Sequence, residues 1–240
     1  MSEPIQNLYE QRFGAAIQSF WGTRDSQANQ QIARGASDAG TRGSVTGGQH
    51  LAAMENLVAD VFADSGIPMR RETTILPGYY RGSKNWDGVV TYRDELVAIL
   101  ELKSQSGSFG NNLNNRVEEM IGQGHDINQA ARRNLLGNLA PWFGYMMVVE
   151  DSPRSTKPVA GRMPHELFPL DEPFQSKPSY IERYAVAFRR LRLEGELSAA
   201  CLVATDRASQ SYWFPDPTMS FTAFAAAIRG RVVEVLGALG

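Results

Sequence analysis

The apolar run Leu96-Val-Ala-Ile-Leu100 ends in Glu101-Leu102-Lys103, and Asp87 stands fourteen residues before Glu101. Successive side chains of a strand alternate between its faces, so Glu101 and Lys103 share one face and Leu102 takes the other. Arg93, Asp94 and Glu95 read as a three-residue hairpin loop with Tyr92 opposite Leu96. Counting back in that register sets Val90 against Ala98 and Asp87 against Glu101. Opposed residues hold their Cβ atoms about 5 Å apart. Two carboxylates at that separation repel unless a cation lies between them. Oxygen-only ligands suit magnesium, with manganese as a substitute, better than zinc. A lysine on the same face holds or polarises a water beside such a metal. These parts suit phosphodiester hydrolysis, in which a metal offsets phosphate charge and lowers the pKa of a water that attacks in line. The competing reading is a solvated salt bridge at a strand end.

The neighbouring elements decide what else reaches this point. A helix over 50–65 carries the stripe Leu51, Glu55, Val58 and Phe62. Glu55 therefore occupies an apolar-face position, where an unpaired charge is costly. It either faces the same metal site, as a further catalytic carboxylate, or reaches water at a boundary. Beyond the strand come Asn111, Asn112, Asn114, Asn115 and Arg116. Asparagine bonds an adenine edge bidentately and arginine a guanine edge. Asparagine also caps helices, and the helix through Val117 is expected to start here. The expected division is one or two capping asparagines, with Arg116 and the others on DNA. Glu118 and Glu119 then fall in a first turn, where they complement the helix dipole.

Helical spacing also appears through Ile5, Leu8, Ile17, Phe20 and Trp21, through Val117, Met120, Ile121 and Ile127, over "YIERYAVAFRRLRLEG", and in the closing "SFTAFAAAIRGRVVEVLGAL". "TTILPGYY", "WDGVVTYRD", "ELVAILELKS", "WFGYMMVVED" and "SAACLVATD" read as strands. Helices flanking a central mixed β-sheet make the fold class α/β, with residues 1–240 as one domain. Residues 33–48 form a glycine-rich loop, and a loop rich in proline and charge spans about 152–178. The glycine-rich loop matches neither a Walker-type phosphate loop nor G-x-G-x-x-G, so a nucleotide site is not supported.

Composition narrows the classes. One cysteine, Cys201, excludes an internal disulfide framework, and its apolar setting assigns it to packing. His50, His125 and His165 include no pair at metal spacing. The N-terminal "MSEPIQNLYEQRFG" lacks the pattern of a signal peptide, and no window suits a membrane span, which predicts a cytoplasmic protein. The net charge of −2 argues against whole-surface binding of nucleic acid but permits a basic cleft. Arginine outnumbers lysine 20 to four, which makes the positions of Lys84, Lys103, Lys157 and Lys177 the more informative. The arginine-rich "RRLRLEGE" and the loop over 152–178 are candidates for interface or phosphate contacts, with a solvated helix face the favoured reading of the former.

The Asp…Glu-x-Lys arrangement resembles the PD-(D/E)XK nuclease superfamily. "LPGYYRGSKNWDGVV", "LELKSQSGSFGNNLNNRVEEMIG" and "PWFGYMMVVEDSPRS" are similar to the XhoI-type restriction endonucleases. The resemblance is good over about 70–160. Elsewhere it extends only to length and the order of elements. It implies a restriction-endonuclease-like core and a homodimer that cuts palindromic double-stranded DNA at CTCGAG, leaving 5′ extensions and 5′-phosphates. It implies magnesium held by Asp87, Glu101 and the Leu102 carbonyl, with Lys103 as the catalytic lysine. Ser104, Gln105, Asn111, Asn112, Asn114, Asn115 and Arg116 form the DNA-contact set it suggests. A cognate DNA methyltransferase is the functional partner such an enzyme needs. Two positions depart from the pattern: Trp86 replaces the expected proline, and Gly88 a bulky apolar residue. A repair or branched-DNA nuclease of the same superfamily, and a non-catalytic DNA-binding module, are the other two readings.

Overall fold

The computed structural model describes residues 3–33, 49–69, 74–159 and 165–240, with side chains from residue 8 to residue 29 in the first stretch. The glycine-rich run from residue 34 to residue 48 lies outside them. Helix α1 (Glu3–Ala33) is longer than its apolar spacing predicts. Tyr9, Phe13, Ala16, Ile17, Phe20 and Trp21 form its buried stripe, while Leu8, expected on that face, is exposed. A 3-10 turn (Gln49–Leu51) leads into α2 (Ala52–Ser65), which ends at Gly66 as expected. There φ is 112°, a conformation that glycine adopts without a Cβ clash.

Strands β1 (Ile75–Leu76) and β2 (Lys84–Asn85) pair as a small separate hairpin. The loop between them wraps the Asp126 carboxylate, which accepts from the amides of Tyr79 (2.8 Å) and Tyr80 (2.7 Å) and from Arg81 Nε (2.8 Å). The main sheet runs β3 (Gly88–Tyr92), β4 (Glu95–Gln105), β5 (Phe143–Glu150), β6 (Ala199–Thr205) and β7 (Tyr212–Trp213), in that order. The outer pairs β3–β4 and β6–β7 are antiparallel, and β4–β5–β6 is parallel. Parallel neighbours require long crossovers. Helix α3 (Phe109–Arg132) supplies the first. Helices α4 (Pro153–Thr156), α5 (Glu172–Gln175) and α6 (Tyr180–Leu193) lie in the second. The expected loop over 152–178 thus contains two short helices, and its residues 160–164 lie outside the described residues. Helix α7 (Phe221–Leu239) closes the chain.

Both sheet faces are covered, which is why the central strands are almost continuously apolar. Leu100, Leu102, Met146, Val148 and Cys201 pack with α1, α2 and α7 on one face. Ile99, Tyr145, Met147 and Leu202 pack with α3 and α6 on the other. Ser179 and Glu182 form the capping box that starts α6: the Glu182 amide donates to Ser179 Oγ (3.3 Å) and the Ser179 amide to Glu182 Oε2 (2.7 Å). The arginines of its last turns make local pairs, Arg189 with Asp216 at 2.8 Å and Arg190 with Asp171.

Two local expectations are corrected. The β3–β4 loop has two residues, not three: Tyr92 pairs with Glu95, and Arg93 and Asp94 take φ of 49° and 66°. Positive φ at both positions is what a two-residue I′-type turn requires. A bulge between Val90 and Thr91 then places Val97 as an extra residue and restores Val90 opposite Ala98 and Gly88 opposite Leu100, the register first counted. The Val97 carbonyl accepts from Arg231 Nε of α7 (2.9 Å).

The second correction concerns α3. It starts at Phe109, with Ser108 at the cap, φ 48° and no capping side chain. The asparagines therefore lie in its first two turns and none caps it. Glu118 and Glu119 stand in the third turn, so they do not complement the N-terminal dipole. Phe109 and Leu113 continue the buried stripe ahead of Met120 and Ile127, and that burial carries the helix through asparagines of poor propensity. Ile121, expected on the apolar face, is exposed.

Candidate active site

Strand β3 begins at Gly88, while β4 runs on to Gln105. Beyond Leu100 the β3 side of β4 has no ladder partner. The backbone amide and carbonyl of Leu102 face that gap. Asp87, one residue ahead of β3, fills part of it: its Oδ2 accepts from the Leu102 amide at 2.7 Å. Gly88 fits beside it because a Cβ there would meet Met69 Sδ at 2.9 Å and Leu100 Cδ1 at 3.0 Å. The bulky apolar residue expected at this position has its space taken by Met69 and Leu100.

Strand alternation puts Glu101 and Lys103 on the α3 side, as expected. Lys103 Nζ lies 2.5 Å from Glu101 Oε1, 3.4 Å from Asp87 Oδ2 and 3.4 Å from the Leu102 carbonyl oxygen. The Asp87, Glu101 and Lys103 predicted from the sequence are thus brought together. Two further residues join them that sequence reasoning did not find. Lys84 Nζ, from β2, lies 2.6 Å from Glu101 Oε2 and 4.0 Å from the centre of the Trp86 ring. Gln123 of α3 donates from Nε2 to Glu101 Oε1 at 3.1 Å, and its own Oε1 is buried with no hydrogen-bond partner among the described residues. Glu101, 2% exposed, is thus held on both oxygens.

Two carboxylates face two ammonium groups, which is how buried charge of this density persists. Burial, with Glu101 adding to it, raises the pKa of Asp87 against the pull of Lys103, the Leu102 amide and Lys84. Burial pulls Lys103 down, but Glu101 and Asp87 outweigh it and leave its ammonium raised. Tyr145, the β5 register partner of Glu101, has a buried hydroxyl with no partner among the described residues. Burial, then Glu101, pushes its phenol well up, so it stays neutral.

Among the described residues no three His, Cys, Asp or Glu side chains cluster as a metal site. The donors on offer here are the Asp87 and Glu101 carboxylates, the gap-facing Leu102 carbonyl and the orphaned Gln123 Oε1. This oxygen-only set, with its anions now balanced by ammonium groups, fits a hard divalent cation.

A family model described as "Restriction endonuclease XhoI" matches residues 30–213. The chain belongs to the XhoI restriction endonuclease family. The type II restriction enzyme BstVI of Geobacillus stearothermophilus is 41% identical over 182 residues, 71% of this chain and 80% of that one. The type II restriction enzyme XhoI of Xanthomonas vasicola is 37% identical over 195 residues, 78% and 77% of the two chains. AbrI of Azospirillum brasilense, also a type II restriction enzyme, is 37% identical over 179 residues, 72% and 79%. No solved structure gives a significant match. The XhoI family is one of site-specific deoxyribonucleases, and this chain is an enzyme of that class.

The tract expected to meet DNA divides in this XhoI-family structure. Asn112, Arg116, Glu119 and Gln123 follow i, i+4, i+7 and i+11, so they share one flank of α3, and Gln123 ties that flank to Glu101. Arg116 pairs with Glu119 at 2.6 Å and is close enough to Lys103 to oppose its charge. Asn111, Asn114 and Asn115 are exposed. Gln105, expected as a DNA contact, is buried instead: it accepts from Tyr184 Oη (2.7 Å) and donates to the Gly107 carbonyl (3.0 Å), bracing the turn into α3. Glu55 is half-buried in the first turn of α2, in the layer over the Leu100 and Leu102 face, whereas Glu101 and Lys103 point to the other face.

Ser104 meets His50 Nε2 at 2.8 Å and Arg24 at 3.4 Å. Burial, with Arg24 adding to it, pushes His50 down to about 4. Unfolded histidine titrates near 6.5. The unfolded chain therefore takes up a proton that the fold refuses as pH falls from about 6.5 to about 4, and stability drops over that window. We expect a loss of about 1–2 kcal/mol at pH 5 relative to pH 7.5, after allowing for partial solvation. Urea midpoints at the two pH values measure it, and the difference should shrink in His50→Gln.

Proposed function

We propose that the chain is a type II restriction endonuclease that hydrolyses both strands of palindromic duplex DNA with magnesium. The observation that carries this reading is the convergence of Asp87, Glu101 and Lys103 at the open end of the β3–β4 pair, within an oxygen-only donor set. Asp87, Glu101 and the Leu102 carbonyl would hold the cation. When bound, it would offset phosphate charge and lower the pKa of a coordinated water. Lys103, placed between both carboxylates, orients the attacking water and meets charge developing on the phosphate. Glu55 is kept as an auxiliary acidic group approaching from the other layer.

Asn112 and Arg116 are the DNA contacts nearest the chemistry, with Asn111, Asn114, Asn115 and Ser104 around them. The resemblance favours CTCGAG as the target, cut to leave 5′ extensions and 5′-phosphates. Cutting both strands of a palindrome calls for two sites related by a two-fold axis, so the enzyme acts as a homodimer, each chain a single nuclease domain. It works in the cytoplasm beside a methyltransferase that protects the same sequence.

Digestion of a sequenced plasmid with end mapping tests the proposal. Discrete fragments with magnesium and none with EDTA are expected, and a smear, or no cutting, sinks it. Arg116→Ala and Asn112→Ala are each expected to cost about 1–3 kcal/mol in kcat/KM on the cognate site or to relax its sequence. Wild-type rate and specificity in both would remove this flank from recognition.

A further inference from the structure

Glu101 presents a difficulty for any cation it is to bind. It is 2% exposed, and both its oxygens already carry ammonium partners. Each oxygen has room for a further partner, but a divalent cation placed on Glu101 would stand beside an ammonium group, and like-charge repulsion favours the withdrawal of one of those groups. The two lysines are not equivalent. Lys103 is on the main sheet and bonds three acceptors, Glu101, Asp87 and the Leu102 carbonyl. Lys84 makes its one ion pair among the described residues with Glu101, and its other direct contacts are with neutral groups: the Asn85 carbonyl at 3.3 Å and the face of Trp86 at 4.0 Å. An aromatic face is a resting place for an ammonium group. Lys84 also belongs to the small β1–β2 hairpin outside the main ladder, so its side chain can leave Glu101 without disturbing β4.

We propose that Lys84 is a positioning residue that serves as the exchangeable counter-cation of Glu101. In the metal-free protein it occupies Glu101 Oε2 and holds that buried carboxylate in place. On cation binding it cedes the oxygen and rests on Trp86. The inference builds on the cation site proposed above and adds that loading this site is a competition between the metal and the chain's own lysine.

The test is cation affinity in the absence of DNA, measured by titration calorimetry with calcium and manganese. Lys84→Met, which keeps most of the side-chain length and loses the charge, is expected to bind at least tenfold more tightly than wild type. Lys84→Arg, which restores the charge, is expected to return to weak binding. A lysine that merely braces Glu101 would give lower stability with equal or weaker affinity in Lys84→Met, and that result overturns the proposal. Amine acylation of the wild-type protein, read by mass spectrometry, provides a second measurement that needs no variant. Modification of Lys84 should rise when calcium is added, and unchanged modification at a saturating concentration counts against release. Equal binding by wild type and Lys84→Met would remove only the role of Lys84. Absence of binding in both would remove the cation site as well.

Discussion

Lys103→Met is expected to abolish cleavage while leaving duplex binding intact. Methionine preserves most of the side-chain length, and Glu101 keeps Lys84 at 2.6 Å and Gln123 at 3.1 Å, so the carboxylate remains held. The ammonium group proposed to orient the water and meet the developing phosphate charge is then missing. Preorganised groups of this kind contribute factors of roughly 10³. We expect at least that loss in single-turnover cleavage, with a duplex Kd in calcium within a few-fold of wild type. A loss below about tenfold would take Lys103 out of the chemistry, since a merely structural lysine would act on binding and stability together.

Glu101→Ala is expected to strike both activity and stability. Glu101 is the acceptor for Lys84, Lys103 and Gln123, and its removal leaves two largely buried ammonium groups near a single carboxylate, Asp87. Deleting one partner of a buried charge cluster costs about 3–5 kcal/mol, more than the same change at a surface pair. Cleavage should fall below detection, and the urea midpoint should drop accordingly. Retention of wild-type stability would show that the ammonium groups find other partners, and residual cleavage would show that Glu101 holds no essential ligand.

The three residues first singled out were legible because strand alternation is a strong local rule and because β4 is long and apolar. What the sequence did not disclose has identifiable causes. Lys84 lies on a two-residue strand flanked by turns, with no periodicity to mark it, although lysine scarcity was a signal: two of the four lysines in the chain converge on Glu101. Gln123 resembles any polar helix residue until α3 is docked against β4. The start of α3 is not legible in the sequence because Ser108 caps it without a side-chain bond, so the usual signature is absent, and because the buried Phe109 and Leu113 that carry its first turns are interspersed with asparagines. The two-residue hairpin loop is hidden in the sequence because Arg93-Asp94 is not a common pair for positive φ. The shorter loop and the bulge offset one another in register, which is why the pairing next to Asp87 agrees with a three-residue loop without a bulge. The elements themselves were read well wherever burial on both faces left little choice, as in β5 and β6.

The bulge at Val97 has a consequence for how the nuclease is assembled in time. Without that extra residue, the turn at Arg93-Asp94 would set Asp87 against Leu100 instead of Glu101, and the acidic pair would never form. The carbonyl of Val97 is held by Arg231, a buried residue 134 positions further along, which also grips the Ala140 carbonyl at 2.8 Å. A nascent chain that has made every residue of the proposed cutting centre therefore still lacks the clamp that secures their alignment. That alignment is completed only when α7, the last of the described helices, has emerged.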